Sequence, residues 1–177
     1  MKKGLLLVVV MLATIAVKAQ DIYVGGSLNV WRNSTGNTTS FKVAPEVGYN
    51  FNETWALGAE LDYSHNYNGG LTKNSVIVAP YIRWSNCETG AVRLFLDGTA
   101  ALGFVKVKDG DTTKAGQVGL RPGIAVKLND HFSFIAKYGF LGYRRNMDYD
   151  EDYAPIKHSF GLNLTSEDLS IGFHYAF

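Results

Sequence analysis

Hydrophobic and polar residues alternate along most of the chain after residue 20. In the last nine residues the odd positions are Leu, Ile, Phe, Tyr and Phe, and the even positions are Ser, Gly, His and Ala. A period of two places each set on one face of an extended strand. No segment after residue 20 shows the 3.6-residue apolar stripe of an amphipathic helix. Eight segments alternate in this way, and they predict an all-β fold with strands near residues 22–31, 40–51, 55–65, 74–85, 91–105, 115–128, 132–143 and within 157–177.

The length of these segments and the apolar face of each one suit a membrane. Each segment is close to or longer than the roughly nine to eleven residues that a tilted strand needs to cross a bilayer. The predicted apolar faces carry no charge, and a Lys or Arg on a lipid face costs about 2 to 4 kcal/mol at mid-bilayer. The pattern therefore predicts an eight-stranded antiparallel up-and-down transmembrane β-barrel.

The connections between the predicted strands alternate in length. Residues 52–54 and 129–131 form tight links with the Asn and acidic residues that turns favour. The links at residues 32–39, 66–73, 106–114 and 144–156 are longer. Short periplasmic turns and longer extracellular loops are typical of outer-membrane barrels.

Two irregularities interrupt the pattern. Pro45, Pro80 and Pro122 fall inside predicted strands, where a local bulge at each would remove the conflict with ladder pairing. The phase of the alternation also slips near residues 165–168. We interpret residues 157–177 as one long strand with a bulge, or as a strand with a protruding extension of the last loop, because a ninth strand would put the two termini on opposite sides.

The aromatic residues indicate which face meets lipid. Alternation alone also fits a soluble lipocalin-like barrel with its apolar face inside. Two aromatic belts at interfacial depth favour the membrane. The belt at the tight-turn ends is Tyr49, Phe51, Trp55, Trp84, Phe132, Tyr175 and Phe177, and the belt at the long-loop ends is Phe41, Tyr63, Phe104 and Phe140.

The first 19 residues read as a cleaved export signal, which leaves residues 20–177 as one barrel domain. Lys2 and Lys3 precede an apolar run too short to span a bilayer as a helix, and small residues stand at the cleavage positions before residue 20. Removing three lysines from the 17 basic residues leaves 14 against 16 acidic ones, a net charge of −2. We therefore expect no nucleic-acid partner.

The C-terminal residues Ser170, Gly172, Tyr175 and Phe177 resemble the insertion signal of bacterial outer-membrane β-barrels. Together with the strand count, they make the mature chain similar to the small eight-stranded barrels of the OmpA/OmpX type. The resemblance implies outer-membrane lipid and the barrel-assembly machinery as partners, and it implies an outer-membrane location.

The face opposite the apolar one carries the charges. In an eight-stranded barrel these side chains fill the interior, so no open pore is expected. Enclosed charges must be paired. We expect a mid-lumen network of Glu46, Glu60, Asp97, Arg121 and Lys137, with Arg83, Arg93 and Lys127 lower down.

No other residues predict a chemical site, so no catalytic residue, cofactor or metal is expected. Cys87 is the only cysteine and reads as a tolerated turn residue. The four histidines lack metal-ligand spacing. His158 directly precedes Ser159 and does not match the spacing of barrel lipid A deacylases, and the acidic run at residues 148–152 lacks the glycine of a calcium loop.

The predicted function is a structural or surface-interaction barrel with a filled polar lumen that binds a surface ligand through the loops at residues 32–39, 66–73, 106–114 and 144–156. A soluble periplasmic ligand-binding barrel is the alternative, and a lipid-modifying outer-membrane enzyme is a weaker one.

Overall fold

The computed structural model describes residues 21–34, 37–68, 70–108, 112–145, 158–164 and 168–177, so the predicted export signal lies outside the described residues. Within these ranges lie ten β-segments: β1 (Ile22–Asn33), β2 (Thr38–Asn50), β3 (Trp55–Asn68), β4 (Leu71–Thr89), β5 (Val92–Val107), β6 (Thr112–Lys127), β7 (Phe132–Lys137), β8 (Phe140–Arg145), β9 (His158–Asn163) and β10 (Ser170–Ala176). None of the described ranges holds a helix long and apolar enough to cross a membrane.

The ten segments form eight antiparallel wall strands. Each of β1 to β6 pairs with the next, and β1 pairs with β10, which pairs with β7, so the sheet closes. The C-terminal part of β6, next to the tight turn, pairs with β7, and the part before it pairs with β8. β7 and β8 are therefore two halves of the seventh strand, and β9 and β10 are two halves of the eighth. The predicted closed up-and-down barrel is confirmed.

The phase slip in the last strand is a local insertion and does not mark a ninth strand. Lys137 pairs with Ser170, and Phe140 pairs with Asn163. Two residues separate these pairs on the seventh strand, and six separate them on the eighth. Among the described strands β9 pairs with β8 alone, so the arrangement agrees with both interpretations, one bulged strand and a strand with a protruding extension of the last loop.

Gly139 reverses which face each residue of the seventh strand presents. Its φ of 78° lies in the left-handed region that favours glycine. Phe140 therefore points inward and is 2% exposed, whereas Leu141 and Tyr143 point outward. The prediction that Phe140 belongs to the lipid face and to an aromatic belt is wrong, because the conformation of Gly139 interrupts the alternation of the seventh strand.

The prolines do not create bulges where the sequence predicted them. The β2–β3 ladder lacks pairs beside Pro45, and the β4–β5 ladder lacks pairs beside Pro80, but the register is the same on both sides of each gap. Pro122 pairs with Leu96, and its carbonyl accepts the Tyr138 backbone N–H at 3.1 Å. The register shift among the described ladders instead lies between Ser85 and Cys87.

The two predicted tight turns have the same construction. The Asn52 side-chain oxygen accepts the backbone N–H groups of Thr54 and Trp55 at 2.9 Å each. Asn129 does the same for the backbone N–H groups of His131 and Phe132, at 2.9 and 2.8 Å. These bonds satisfy the backbone at the tip, as Asn turns do.

At the opposite end, the strands continue further than alternation predicted. β1 and β2 pair as far as Asn33 and Thr38, and β3 and β4 as far as Asn68 and Leu71. Most of the predicted loops at residues 32–39, 66–73 and 106–114 is therefore ladder. Both strand faces are polar beyond the apolar band, so alternation carries no signal there. Most of the loop at residues 144–156 lies outside the described residues.

The apolar face is the outer surface of the barrel. Leu61, Leu102 and Phe104 are exposed, at 47%, 73% and 57% of their surface. Near the tight turns, Trp55 pairs directly with Trp84, and Tyr175 makes edge contacts with Phe132 and Phe177. Most inward positions are polar or small, and the buried rings of Tyr23, Tyr81, Phe95 and Phe140 are the main exceptions.

Candidate functional site in the barrel interior

Four charged side chains from four strands are almost completely buried inside the barrel. Glu46 on β2, Glu60 on β3, Asp97 on β5 and Lys137 on β7 are 5%, 2%, 3% and 1% exposed. Each occupies an inward position because the side chains of a strand alternate between the two faces. Such burial is rare for charged residues unless they are paired.

Lys137 is the centre of this cluster. Its Nζ lies 2.8 Å from Glu46 Oε2, 2.8 Å from Glu60 Oε2 and 3.6 Å from Asp97 Oδ2. One ammonium group thus contacts carboxylates from three other strands. The cluster joins opposite parts of the wall across the lumen.

Arg83 belongs to this cluster, although the sequence placed it lower in the lumen. Its Nε and Nη2 donate to the two Asp97 oxygens at 2.7 and 2.9 Å, and Nη2 also donates to Glu46 Oε1 at 3.1 Å. Arg83 pairs in register with Asp97 across β4 and β5. Planar, two-point pairing of this kind is typical of arginine and carboxylate.

Arg121 and Lys42 extend the cluster toward the end opposite the tight turns. Arg121 Nη1 lies 3.4 Å from Glu60 Oε1. Lys42 Nζ lies 2.8 Å from Asp62 Oδ1 and 3.9 Å from Glu60 Oε1. The structure therefore brings all five predicted network residues together and adds Arg83, Lys42 and Asp62.

The remaining predicted lumen cations lie near the tight turns and are more exposed. Arg93 Nη2 is 2.5 Å from Glu88 Oε2, and Lys127 Nζ is 3.6 Å from Asp130 Oδ1. Their position below the cluster agrees with the sequence analysis.

Aromatic side chains support the cluster from the tight-turn side, and sequence reasoning missed them. The Tyr81 hydroxyl donates to Glu46 Oε1, and the Tyr81 and Tyr23 hydroxyl oxygens are 2.6 Å apart. The His174 ring stacks on Tyr23 at 4.8 Å, and its Nε2 lies 3.3 Å from Glu46 Oε2. The Phe95 ring centroid lies 4.0 Å from Arg83 Cζ.

These aromatic rings fit because each faces a glycine. The register pairs Tyr23 with Gly48, Tyr81 with Gly58 and Phe95 with Gly123. A Cβ built on any of the three glycines would approach the facing ring to between 2.1 and 2.3 Å. An inward aromatic residue opposite an inward glycine is the sequence signal for this packing. It can be recognised only when the register of the two strands is known.

Little space remains at mid-height. A cavity of about 10 Å³ lies against Glu60, Asp97 and Lys137. This volume is about the minimum that holds one water molecule. A larger cavity of about 200 Å³, lined by Lys42, Asp62 and other polar residues, lies toward the opposite end from the tight turns.

Three residues of the predicted insertion signal lie on both faces of β10, and Phe177 directly follows this strand. Ser170 and Gly172 are buried and inward-facing. Tyr175 and Phe177 lie in the aromatic belt, with their rings 5.1 Å apart. The Phe177 backbone N–H donates to the Ile22 carbonyl at 3.2 Å, which ties the end of the chain to β1.

The other polar candidates do not assemble into a site. Among the described residues, no three His, Cys, Asp or Glu side chains are close enough together to hold a metal ion. Cys87 is exposed, and His158 contacts the Tyr143 hydroxyl. The acidic run at residues 148–152 lies outside the described residues.

Comparison with known proteins decides between the two interpretations of the apolar face. Residues 5–177 match the model of the family described as outer membrane protein beta-barrel domain. The chain belongs to this family. An outer-membrane barrel domain presents its apolar face to lipid, as the exposed outer surface requires.

A solved structure supports the same fold. The outer-membrane β-barrel described above is similar to the crystal structure of Neisserial surface protein A (NspA), with a TM-score of 0.51 and 16% sequence identity. The match covers 88% of this chain and 96% of NspA. No curated protein matches the chain significantly in sequence.

Proposed function

We propose that this outer-membrane barrel has a lumen closed by its charge cluster, and that it acts as a structural or surface-interaction protein without enzymatic activity or open-pore transport. The observation that carries the proposal is the contact of Lys137 with three carboxylates from three other strands. An eight-stranded barrel is only wide enough for side chains to fill. In the proposed orientation the tight turns face the periplasm.

Conductance across a planar lipid bilayer tests the closed lumen. The folded wild-type protein is expected to give no stepwise current, because the cluster bridges the lumen. The triple variant Glu46→Ala, Glu60→Ala, Lys137→Ala removes three of the bridging side chains and is expected to conduct.

The matched control is Glu88→Ala with Arg93→Ala, an exposed ion pair below the cluster. Gel mobility with and without boiling establishes that each variant is folded. Steady channels in the wild type would contradict the closed lumen, and a folded triple variant as silent as the control would contradict its closure by the charge cluster.

The surface-interaction role is proposed for the loops on the extracellular side. The segments at residues 32–39, 66–73 and 106–114 join paired strands at this end, and the sequence predicts a fourth link at residues 144–156. Exposed loops on a rigid scaffold commonly carry binding function. Replacing each tip in turn by a short Gly-Asn turn, in cells that display the barrel, tests this role. At least one replacement is expected to reduce cell adhesion to host or abiotic surfaces at equal surface display, and four replacements without effect would refute it.

The proposal also includes how the chain is exported and assembled into the membrane. Residues 1–19 direct the chain out of the cytoplasm, and Ser170, Gly172, Tyr175 and Phe177 are recognised by the assembly machinery. Support comes from the basic start and apolar run of the first segment, and from the edge position of Phe177 in the aromatic belt.

A further inference from the structure

Three cationic side chains lie together on the outer surface, outside the lumen cluster. Lys106 on β5, Lys114 on β6 and Arg145 on β8 all occupy outward positions and are exposed. They come from three neighbouring strands at the end opposite the tight turns.

The register makes these residues neighbours. Lys106 pairs with Thr112, so Lys114, two positions along β6, is its diagonal neighbour. Arg145 pairs with Gly116, so Lys114 is its diagonal neighbour as well. Diagonal positions on one face are roughly 7 to 8 Å apart, within reach of long side chains. The three residues form one basic patch centred on Lys114.

This basic patch borders the apolar surface directly. Phe104, which is 57% exposed, pairs with Lys114. Leu102, which is 73% exposed, and Tyr143, which is 38% exposed, lie on the same outward face. Leu102 is two residues from Phe104 and Tyr143 is two residues from Arg145, and both are nearer the middle of the barrel wall. Long cationic side chains at such a boundary keep their stems on apolar surface and their charged ends at headgroup level.

The patch is basic on this surface. Within their described ranges, β5, β6 and β8 carry no acidic residue in an outward position.

We propose that Lys106, Lys114 and Arg145 bind the phosphate headgroup of a lipid in the outer leaflet. The adjoining apolar face takes the acyl chains, and the three cations contact the phosphate oxygens. Arginine gives two parallel hydrogen bonds to phosphate, and lysine acts as a point charge. Placement in the outer leaflet rests on the proposed orientation, whereas recognition of a lipid phosphate does not.

Native mass spectrometry of the detergent-solubilised barrel tests the proposal. The probes are dioleoylphosphatidic acid, which carries a phosphomonoester, and dioleoylphosphatidylcholine with the same chains. The wild type is expected to retain the phosphatidic acid preferentially. The triple variant Lys106→Gln, Lys114→Gln, Arg145→Gln is expected to bind it about a hundredfold more weakly.

Arg93→Gln with Lys127→Gln, at the tight-turn end, is the matched control and is expected to bind phosphatidic acid like the wild type. The single variant Lys114→Glu provides a second measurement if the triple variant does not fold. It is also expected to bind phosphatidic acid more weakly than the wild type. Undiminished binding by a folded triple or Lys114→Glu variant, or an equal loss in the control, would overturn the proposal. Displacement of the lipid by an equal concentration of inorganic phosphate would overturn it too, because the ligand would then be soluble phosphate. Lipid retention in detergent is independent of conductance, so an open lumen would refute the proposed function alone.

Discussion

Replacing Lys137 by Met removes the charge at the centre of the lumen while keeping most of the side-chain volume. In the wild type, three carboxylates (Glu46, Glu60 and Asp97) face three cations (Lys137, Arg83 and Arg121). After the substitution the carboxylates are in excess, and the two that lay 2.8 Å from the Lys137 Nζ lose their closest partner. Removing one partner of a buried ion pair costs about 3 to 5 kcal/mol. The free energy of unfolding is expected to fall by about that amount.

The assay is urea unfolding of the barrel in lipid vesicles, followed by tryptophan fluorescence. Arg93→Met is the matched control, because its partner Glu88 is 53% exposed and surface pairs contribute at most about 1 kcal/mol. Adding Glu60→Gln to Lys137→Met restores equal numbers of positive and negative charges and is expected to recover part of the loss. The reasoning is refuted if Lys137→Met lowers the free energy of unfolding no more than Arg93→Met does. It is also refuted if adding Glu60→Gln to Lys137→Met lowers that free energy by as much as Glu60→Gln does in the wild type.

Three further outcomes are expected. Phe140→Ala, inside the barrel, is expected to lower the free energy of unfolding by about 3 to 5 kcal/mol in the same urea assay, and more than the lipid-facing Phe104→Ala does. Gly48→Ala puts a methyl group 2.1 Å from the facing tyrosine ring and is expected to lower the free energy of unfolding by about 1 to 3 kcal/mol. Gly98→Ala, whose nearest contact is 3.4 Å, is expected to stay near wild type, and equal urea midpoints for the two variants would contradict this. Deletion of Phe177 is expected to reduce the amount of barrel in the outer-membrane fraction more than it reduces unfolding free energy in vesicles, and equal losses would mean that the residue is only an interfacial anchor.

The local features of the fold could be predicted from the sequence because their causes are local. A period of two identifies which side chains share a face, whatever the register. The turns at Asn52 and Asn129 depend on side-chain oxygens within three residues of the backbone groups they bind. The strand count and both tight turns followed from these signals.

Other features depend on backbone geometry that alternation does not encode. Phe140 points inward because of the conformation of Gly139, and the sequence alone does not distinguish this glycine from those that continue a strand regularly. The strands also extend into polar segments such as the one ending at Asn68, where pairing partners and not hydrophobicity determine the structure.

The five residues of the mid-lumen network could be predicted as a group, but the individual partners within it could not. Arg83 reaches Asp97 because the two residues pair across β4 and β5, which is a property of the register. Arg121 also pairs in register with Asp97, yet its Nη1 lies near Glu60. Choosing among such partners requires the positions of side chains from at least three strands.

The most direct test of the central charge cluster is the exchange rate of the Lys137 ammonium protons, measured by NMR on the barrel labelled with ¹⁵N-lysine in micelles. We predict a distinct ammonium resonance that exchanges slowly with water and disappears in Lys137→Met, since the Lys137 side chain is 2% exposed and contacts three carboxylates. The Lys127 side chain is 58% exposed and serves as the fast-exchanging reference. Exchange of the Lys137 protons as fast as those of Lys127 would show a hydrated lumen and contradict the account.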